Sequence, residues 1–164
     1  MSQLIEKSIQ QAMLMVEEGA LQHRILTVLT EAAEKIAGNH SVVSILVLDK
    51  NGLLRNGCSP NLPYDYLTAI DGLKPNPDLG TCASAAATGS VVLTPDFKAD
   101  NKWAELRHLP LALGFAGAWS MPIKNGKGEV LGTFGTYYRD CRQPTEEELA
   151  AVQRLADVAA RVLE

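Results

Sequence analysis

Residues 118–138 read AWSMPIKNGKGEVLGTFGTYY, two apolar runs on either side of a glycine-rich segment. The runs predict strands at residues 118–123 and 129–138, because β-branched and aromatic residues favour a pleated, half-buried backbone. Residues 125–128 predict a tight hairpin loop, since Asn-Gly adopts the positive φ angles that such turns require. Two antiparallel strands at this point place a sheet at the centre of the molecule.

Shorter strand and helix signals precede and follow this hairpin. Further strands are predicted at residues 41–48, 53–58 and 91–94, the first two joined by an Asn-Gly turn. Helices are predicted at residues 64–70, 82–88 and 103–113, with Pro110 breaking or restarting the last of them. Another helix begins at Thr145, where Glu148 is spaced for a capping box. Hairpins at both ends with helices gathered elsewhere predict an α+β fold with a five- or six-stranded antiparallel sheet.

Helical periodicity also runs through the first part of the chain. Apolar residues recur at helical spacing from residue 2 to 37, with Gly19 interrupting them and Gly38-Asn39 ending them. The pattern fits two helices or one helix with a break near Gly19. Residues 1–20 are interpreted as a helical extension and residues 21–164 as the domain. The apolar stripes of residues 4–16 and 149–163 fit either the core or the interface of a homodimer.

Composition excludes several functional classes. The 164 residues carry a formal net charge of −4 with scattered basic residues, which argues against nucleic-acid binding. No apolar run approaches the length of a membrane span and no secretory signal is present, so a cytoplasmic location and no membrane association are expected. Three widely spaced cysteines do not form a disulfide framework, and no spacing suggests a metal site. No cofactor is expected.

Five motifs in order resemble the GAF domain, a small-molecule-sensing module of bacterial signalling proteins. They are a Gly-Thr-Cys segment followed by small residues (80–87), a Val-x-x-Thr-x-Asp segment (91–96), a tryptophan-containing helix (103–113), Trp-Ser-x-Pro-Ile (119–123) and Val-Leu-Gly-Thr-Phe-x-x-Tyr-Tyr-Arg (130–139). The chain departs from the pattern at Ala83, where glycine is frequent, and at Ala118, where cysteine is common.

The resemblance implies a fold and a function. The first and last helices would pack on one face of the sheet, and short helices and loops would form a ligand cleft on the other. The variety resembled occurs upstream of histidine-kinase, diguanylate-cyclase and EAL output domains, in two-component and cyclic-di-GMP signalling. A non-catalytic sensor is therefore expected, either stand-alone or controlling such an output domain. It would bind an unidentified small molecule, relay through a helical dimer interface, or do both.

Cys82 is the candidate that would make the chain an enzyme instead. A thiol at a helix N-terminus can have a depressed pKa and act as a nucleophile. GAF proteins include free-methionine-(R)-sulfoxide reductases, whose chemistry needs a nucleophilic thiol and a resolving partner. Cys58 and Cys141 lie in other predicted elements, away from the reductase positions. The alternative is a small buried thiol that fills space under an alanine-rich helix.

His108 is a candidate ligand for haem iron or an anion, or else an ordinary surface residue. The cysteine-histidine pair of bilin-binding GAF domains is absent, since Leu109 and Pro110 follow His108. The cyclic-nucleotide signature of other GAF domains is also absent.

Other candidates are aromatic or polar. Trp103 and Trp119 each offer a flat face and one N–H donor, so each could contact a ligand or fill the core. Asp96, Ser120, Thr133 and Thr136 could supply the few polar groups that a small-ligand site needs. The predicted ligand-binding set is Cys82, Asp96, Trp103, His108, Trp119 and Thr133.

Overall fold

Five antiparallel strands form the central sheet of the protein, whose computed structural model describes residues 2–164. The strands are β1 (Val42–Leu48), β2 (Leu54–Cys58), β3 (Val92–Thr94), β4 (Gly117–Lys124) and β5 (Val130–Tyr138). Their order in the sheet is β2-β1-β5-β4-β3, and each neighbouring pair is antiparallel. The predicted α+β class and antiparallel sheet are confirmed, with β5 at the centre.

Six α-helices lie around the sheet in the described part of the chain. They are α1 (Ser2–Glu17), α2 (Gln22–Ala37), α3 (Tyr64–Ile70), α4 (Cys82–Thr88), α5 (His108–Ala112) and α6 (Glu146–Leu163). Gly19 separates α1 from α2 at a φ of 73°, a value that a glycine adopts without steric strain. The first residue of the predicted extension, Met1, lies outside the described residues.

The predicted helix at residues 103–113 was wrong in its extent. The segment instead contains a 3₁₀ turn (Asn101–Trp103), further turns and the five-residue α5. Pro110 lies in the first turn of α5, where the N–H that proline lacks would have no helical partner. The chain therefore starts a new helix close to Pro110 instead of continuing one through it.

Helices α1, α2 and α6 cover one face of the sheet. The core on this face includes Trp119 and Phe134 from the sheet and Leu155 from α6. Ile5 and Ala12 of α1 are buried in the same cluster, 2% and 0% exposed. The apolar stripe of residues 4–16 thus packs within this chain, against α2 and α6. No helix within residues 2–164 is both long and apolar enough to cross a bilayer.

The start of α6 is fixed to the end of β5. The Thr145 hydroxyl accepts a hydrogen bond from the Glu148 amide at 3.1 Å, which is half of the predicted capping box. The Glu148 carboxylate does not return to Thr145; it accepts a 2.5 Å hydrogen bond from the Tyr138 hydroxyl. The Arg142 guanidinium lies 3.9 Å from the centre of the Tyr138 ring. A movement of the last residue of β5 would therefore act directly on α6.

Candidate functional site

The second face of the sheet is covered by α3, α4 and irregular segments. Side chains alternate along β5, so Thr133, Gly135 and Tyr137 face this side while Phe134 and Tyr138 face the long helices. A Cβ at Gly135 would lie only 2.9 Å from Cys82 Sγ. The glycine thus lets α4 approach the sheet closely, as the small residues of the 80–87 segment predict.

A small cavity lies between α3, α4 and the sheet. Its volume is about 20 Å³, enough for roughly one water molecule. The lining includes the aliphatic residues Leu46, Ile70, Leu73, Leu79 and Leu106, together with Tyr66, Gly80, Thr81, Cys82, Ala83, Trp103 and Tyr137. Residues from five separate parts of the chain therefore converge on one small space, and their mainly apolar character with a few polar groups is typical of the lining of small-molecule sites.

A chain of hydrogen bonds runs from this cavity towards the surface. Trp103 Nε1 donates to Thr81 Oγ1 at 2.7 Å, and the Thr81 and Thr94 hydroxyls are 2.9 Å apart. Thr94 Oγ1 in turn donates to Asp100 Oδ2 at 3.0 Å. Lys102 Nζ lies 2.9 Å from the same carboxylate oxygen. The buried end of the chain is neutral, and its charges are paired at the partly exposed outer end.

Two tyrosines form another part of the cavity wall. The hydroxyls of Tyr66, from α3, and Tyr137, from β5, are 2.7 Å apart, and both residues are buried. Their rings meet edge to face with centroids 5.7 Å apart. Burial raises the pKa of both hydroxyls, so both are neutral at physiological pH.

Cys82 is the first residue of α4, and its thiol faces the sheet. Burial raises the pKa of this thiol, and the approach of the Ser120 and Thr133 hydroxyls offsets that rise only in part. Neither hydroxyl reaches hydrogen-bonding geometry with any described residue. We therefore treat both as weak contacts of the sulfur. The thiol is neutral at physiological pH, opposite to what a nucleophile at a helix N-terminus would need.

Alkylation should distinguish the three cysteines. We expect iodoacetamide to modify one thiol per folded chain at neutral pH. Cys141 is exposed and Cys58 is buried, and although Cys82 is only half-buried as a residue, desolvation raises the pKa of its thiol and keeps it protonated. In denaturant all three should react. Mass spectrometry of the modified peptides identifies the sites, and a Cys82 peptide labelled as fast as the Cys141 peptide would contradict the assignment.

Stability should decrease at alkaline pH. Burial raises the pKa of Tyr66, Tyr137 and Tyr138, and the hydrogen bond to Glu148 adds to the effect at Tyr138. Above about pH 10 the unfolded chain releases tyrosine protons that the folded chain retains. Each such group then lowers the free energy of unfolding by up to about 1.4 kcal/mol per pH unit. Urea denaturation at a series of pH values from neutral to about 11 measures how steeply the free energy of unfolding falls with pH.

A matched pair of variants in α3 tests the cause of this slope. Tyr66→Phe should make it shallower, since Tyr66 is 4% exposed. Tyr64→Phe should leave it unchanged, since Tyr64 is 80% exposed. Equal slopes for the two variants would show that burial of Tyr66 does not contribute.

The structure brings together three of the six predicted site residues. Cys82 and Trp103 line the cavity, and Thr133 lies beneath Cys82 on the same face. Trp119 does not reach the cavity, because strand alternation directs its side chain into the core under the long helices. Trp119 Nε1 makes no full hydrogen bond to any of residues 2–164, although it approaches the Tyr138 hydroxyl.

Asp96 and His108 also lie outside the cavity. Asp96 accepts a hydrogen bond from the Lys98 amide at 3.0 Å in a surface turn. His108 is exposed at the start of α5. In this turn the residue that packs into the protein is Pro110. No group of three His, Cys, Asp or Glu side chains within residues 2–164 is arranged to hold a metal ion.

Sequence reasoning missed Tyr66, Tyr137 and Thr81. Tyr137 shares its strand face with Thr133 and Gly135, so alternation from Thr133 could have identified it. Tyr66 had no comparable signal, because its partner is 71 residues away in the chain. Thr81 precedes the predicted helix at Cys82 and resembles a cap, yet its hydroxyl bonds to Trp103 and Thr94 instead.

Known proteins match both the sequence and the fold. The GAF domain family profile matches residues 22–164. The methyl sulfide methyltransferase-associated sensor of Methanosarcina acetivorans is 32% identical over 150 residues, which are 91% of this chain but 15% of that protein. The chain therefore spans about one seventh of the length of this relative.

Solved structures share the fold at lower identity. The GAF domain of a phosphoenolpyruvate-protein phosphotransferase from Coxiella burnetii is 17% identical, with a TM-score of 0.74 over 96% of this chain and 90% of that one. A type II free methionine-R-sulfoxide reductase from Thermoplasma acidophilum is 16% identical, with a TM-score of 0.70 over 87% and 92%. Taken with the profile match and the sheet topology, these findings show that the chain belongs to the GAF domain family.

Proposed function

We propose that this chain is a non-catalytic sensory module that binds a small molecule in the cavity between α3, α4 and the sheet. The observation that carries the proposal is the cavity itself, enclosed by apolar and aromatic side chains and supplied with two tyrosine hydroxyls and a threonine. Such a combination gives burial for affinity and a few polar groups for orientation.

The relative from Methanosarcina acetivorans supports a sensory role, since its name describes a sensor. That protein is far longer than this chain. The comparison therefore suggests that such a module works within a larger sensor, and it does not identify the ligand. We extend the proposal to signal transduction: the module controls an output domain such as a kinase, cyclase or phosphodiesterase, in the cytoplasm.

A thiol reductase is the competing function, because sulfoxide reductases share the fold. Two observations favour the sensor. Burial keeps the Cys82 thiol protonated. Cys58 lies on the other face of the sheet, 3.4 Å from Thr27 Oγ1 of α2, and Cys141 is exposed after β5. A resolving thiol next to Cys82 would be needed to complete a reductase cycle.

Neighbouring tyrosines in β5 give the proposed sensor a route to its helices. Tyr137 belongs to the cavity wall and Tyr138 holds α6 through Glu148. A ligand that separates Tyr137 from Tyr66 would shift the end of β5, and with it the start of α6. Such a shift changes the output only if the ligand binds the two arrangements with different affinity. A homodimer that transmits the signal through α6 would not need the apolar stripe of α1, because that stripe already packs against α2 and α6.

Two variants of α4 test the proposed site. Ala83 lines the cavity, whereas Ala87 lies on the exposed side of the same helix. We expect a metabolite that raises the melting temperature of the wild-type chain to lose this effect in Ala83→Val and to keep it in Ala87→Val. A metabolite that stabilises all three chains equally would bind elsewhere and would overturn the proposed site.

A further inference from the structure

The walls of the cavity carry no formal charge. Every lining side chain is apolar or bears a neutral hydroxyl, thiol or indole group. Burial keeps the Tyr66 and Tyr137 hydroxyls and the Cys82 thiol protonated, so none of them supplies a negative charge at physiological pH. An ion placed in this space would lose its hydration without gaining an opposite charge.

The charged groups that these hydrogen bonds join to the cavity are already paired with each other. Asp100 and Lys102 form an ion pair of 2.9 Å, and neither residue lines the cavity. The Asp100 carboxylate is connected to the cavity through the Thr94 hydroxyl, within the bonds described above. The ion pair itself therefore adds little net charge, and the neighbouring Arg107 guanidinium donates to the Asp100 carbonyl at 3.2 Å.

The ion pair also fixes the direction of the hydrogen bonds. A carboxylate only accepts, so Thr94 donates to Asp100 and must accept from Thr81. Thr81 therefore donates its one proton to Thr94 and accepts from Trp103 Nε1. The Thr81 hydroxyl has a remaining lone pair but no remaining proton, and it can offer a ligand only an acceptor.

The tyrosine pair offers the complementary group. Each hydroxyl has one proton, and the bond between Tyr66 and Tyr137 uses one of the two. No side chain or carbonyl among residues 2–164 accepts a hydrogen bond from the other proton. The cavity thus presents a hydrogen-bond donor on the tyrosine wall and an acceptor on the Thr81 wall.

Entry requires the cover of the cavity to move. Leu79 and Leu106 cover the cavity from two irregular segments. The two segments are joined by a backbone hydrogen bond of 2.8 Å, which the Gly80 amide donates to the Lys102 carbonyl. The present volume of about 20 Å³ is too small for a metabolite. Separation of these two segments would enlarge the space.

We propose that the cavity selects an uncharged molecule with an apolar or aromatic body and one group, such as a carboxamide or hydroxyl, that both donates and accepts a hydrogen bond. This inference rests on the proposed sensory function and names the ligand class of the same site. The proposal excludes anionic ligands, such as nucleotides and carboxylates, and it also excludes organic cations.

Matched pairs of probes test the inference on the full chain at neutral pH. Benzamide and benzoate have nearly the same shape and differ in charge, and isobutyramide and isobutyrate form a smaller pair. Benzyl alcohol and benzylammonium test the opposite charge. Titrations followed by the backbone amide signals of Gly80 and Cys82 give each Kd, with the amide of Gly126 in the β4–β5 loop as a remote control.

We expect each neutral probe to bind at least about tenfold more tightly than its charged partner, since burying an unpaired ion costs more than about 1.4 kcal/mol. Ala83→Val should abolish the binding and Ala87→Val should retain it. Equal or tighter binding of benzoate or benzylammonium at Gly80 and Cys82 would overturn the ligand class and leave the sensory cavity standing. If no member of any pair shifts these signals, the inference is overturned, and the metabolite screen with the α4 variants still decides the sensory function separately.

Discussion

Replacing Trp119 by alanine is expected to lower the free energy of unfolding by about 3–5 kcal/mol, the range for removal of a large aromatic side chain from a packed core. Trp119 is 1% exposed and lies beneath the long helices, among the largest fully buried side chains of the described chain. The cost follows from lost contacts and the cavity left behind. Urea denaturation followed by far-UV circular dichroism measures it without depending on tryptophan fluorescence.

Two further variants make this prediction decisive. Trp119→Phe keeps most of the ring volume and should lose clearly less stability, which guards against an alanine variant that does not fold. Leu14→Ala removes a side chain that is 55% exposed on α1 and should change stability by no more than about 0.5 kcal/mol. A Trp119→Ala protein as stable as Leu14→Ala would show that Trp119 does not lie in the core.

Gly132→Ala should destabilise the sheet by about 3 kcal/mol, the upper part of the range for overpacking. A Cβ at this position would overlap the backbone carbonyl of Leu46 on the neighbouring strand β1. A backbone group cannot rotate away as a side chain can, so β1 and β5 would have to separate locally. Chemical denaturation of the purified variant provides the measurement.

Gly126→Ala is the matched control for this substitution. Gly126 lies in the loop between β4 and β5, and a Cβ there would have no other atom within 4 Å. The control should stay within about 0.5 kcal/mol of the wild type. Equal stability of the two alanine variants would mean that β1 and β5 do not approach as closely as the structure indicates.

Local signals predicted most of the fold. The bounds of α3 and α4 were predicted as they are observed, because proline, small residues and Gly89 define them within the segment itself. Gly89 ends α4 in the left-handed conformation, with a φ of 67°. The irregular segment after Trp103 was not predicted, because a distant contact, the bond from the Trp103 indole to Thr81, holds its first residue.

The candidate site was harder to predict for the same physical reason. Strand alternation separates Trp119 from Thr133 but does not say which face the long helices cover. Tyr66 and Tyr137 meet only after the chain folds, so no local pattern marks them as a pair. Chemical character alone does not place a side chain in the site, since His108 lies exposed at the start of α5.

The two tryptophans provide the most direct test of the central claim, that the cavity on the α3–α4 side is the ligand site. Their indole N–H signals resolve in a ¹⁵N–¹H correlation spectrum, and single Trp→Phe variants assign them. When a library of small metabolites is screened, a binding metabolite should shift the Trp103 signal in a saturable manner and leave Trp119 in place, since Trp119 lies on the other face of the sheet. Binding that shifts Trp119 while Trp103 stays unchanged would contradict the account.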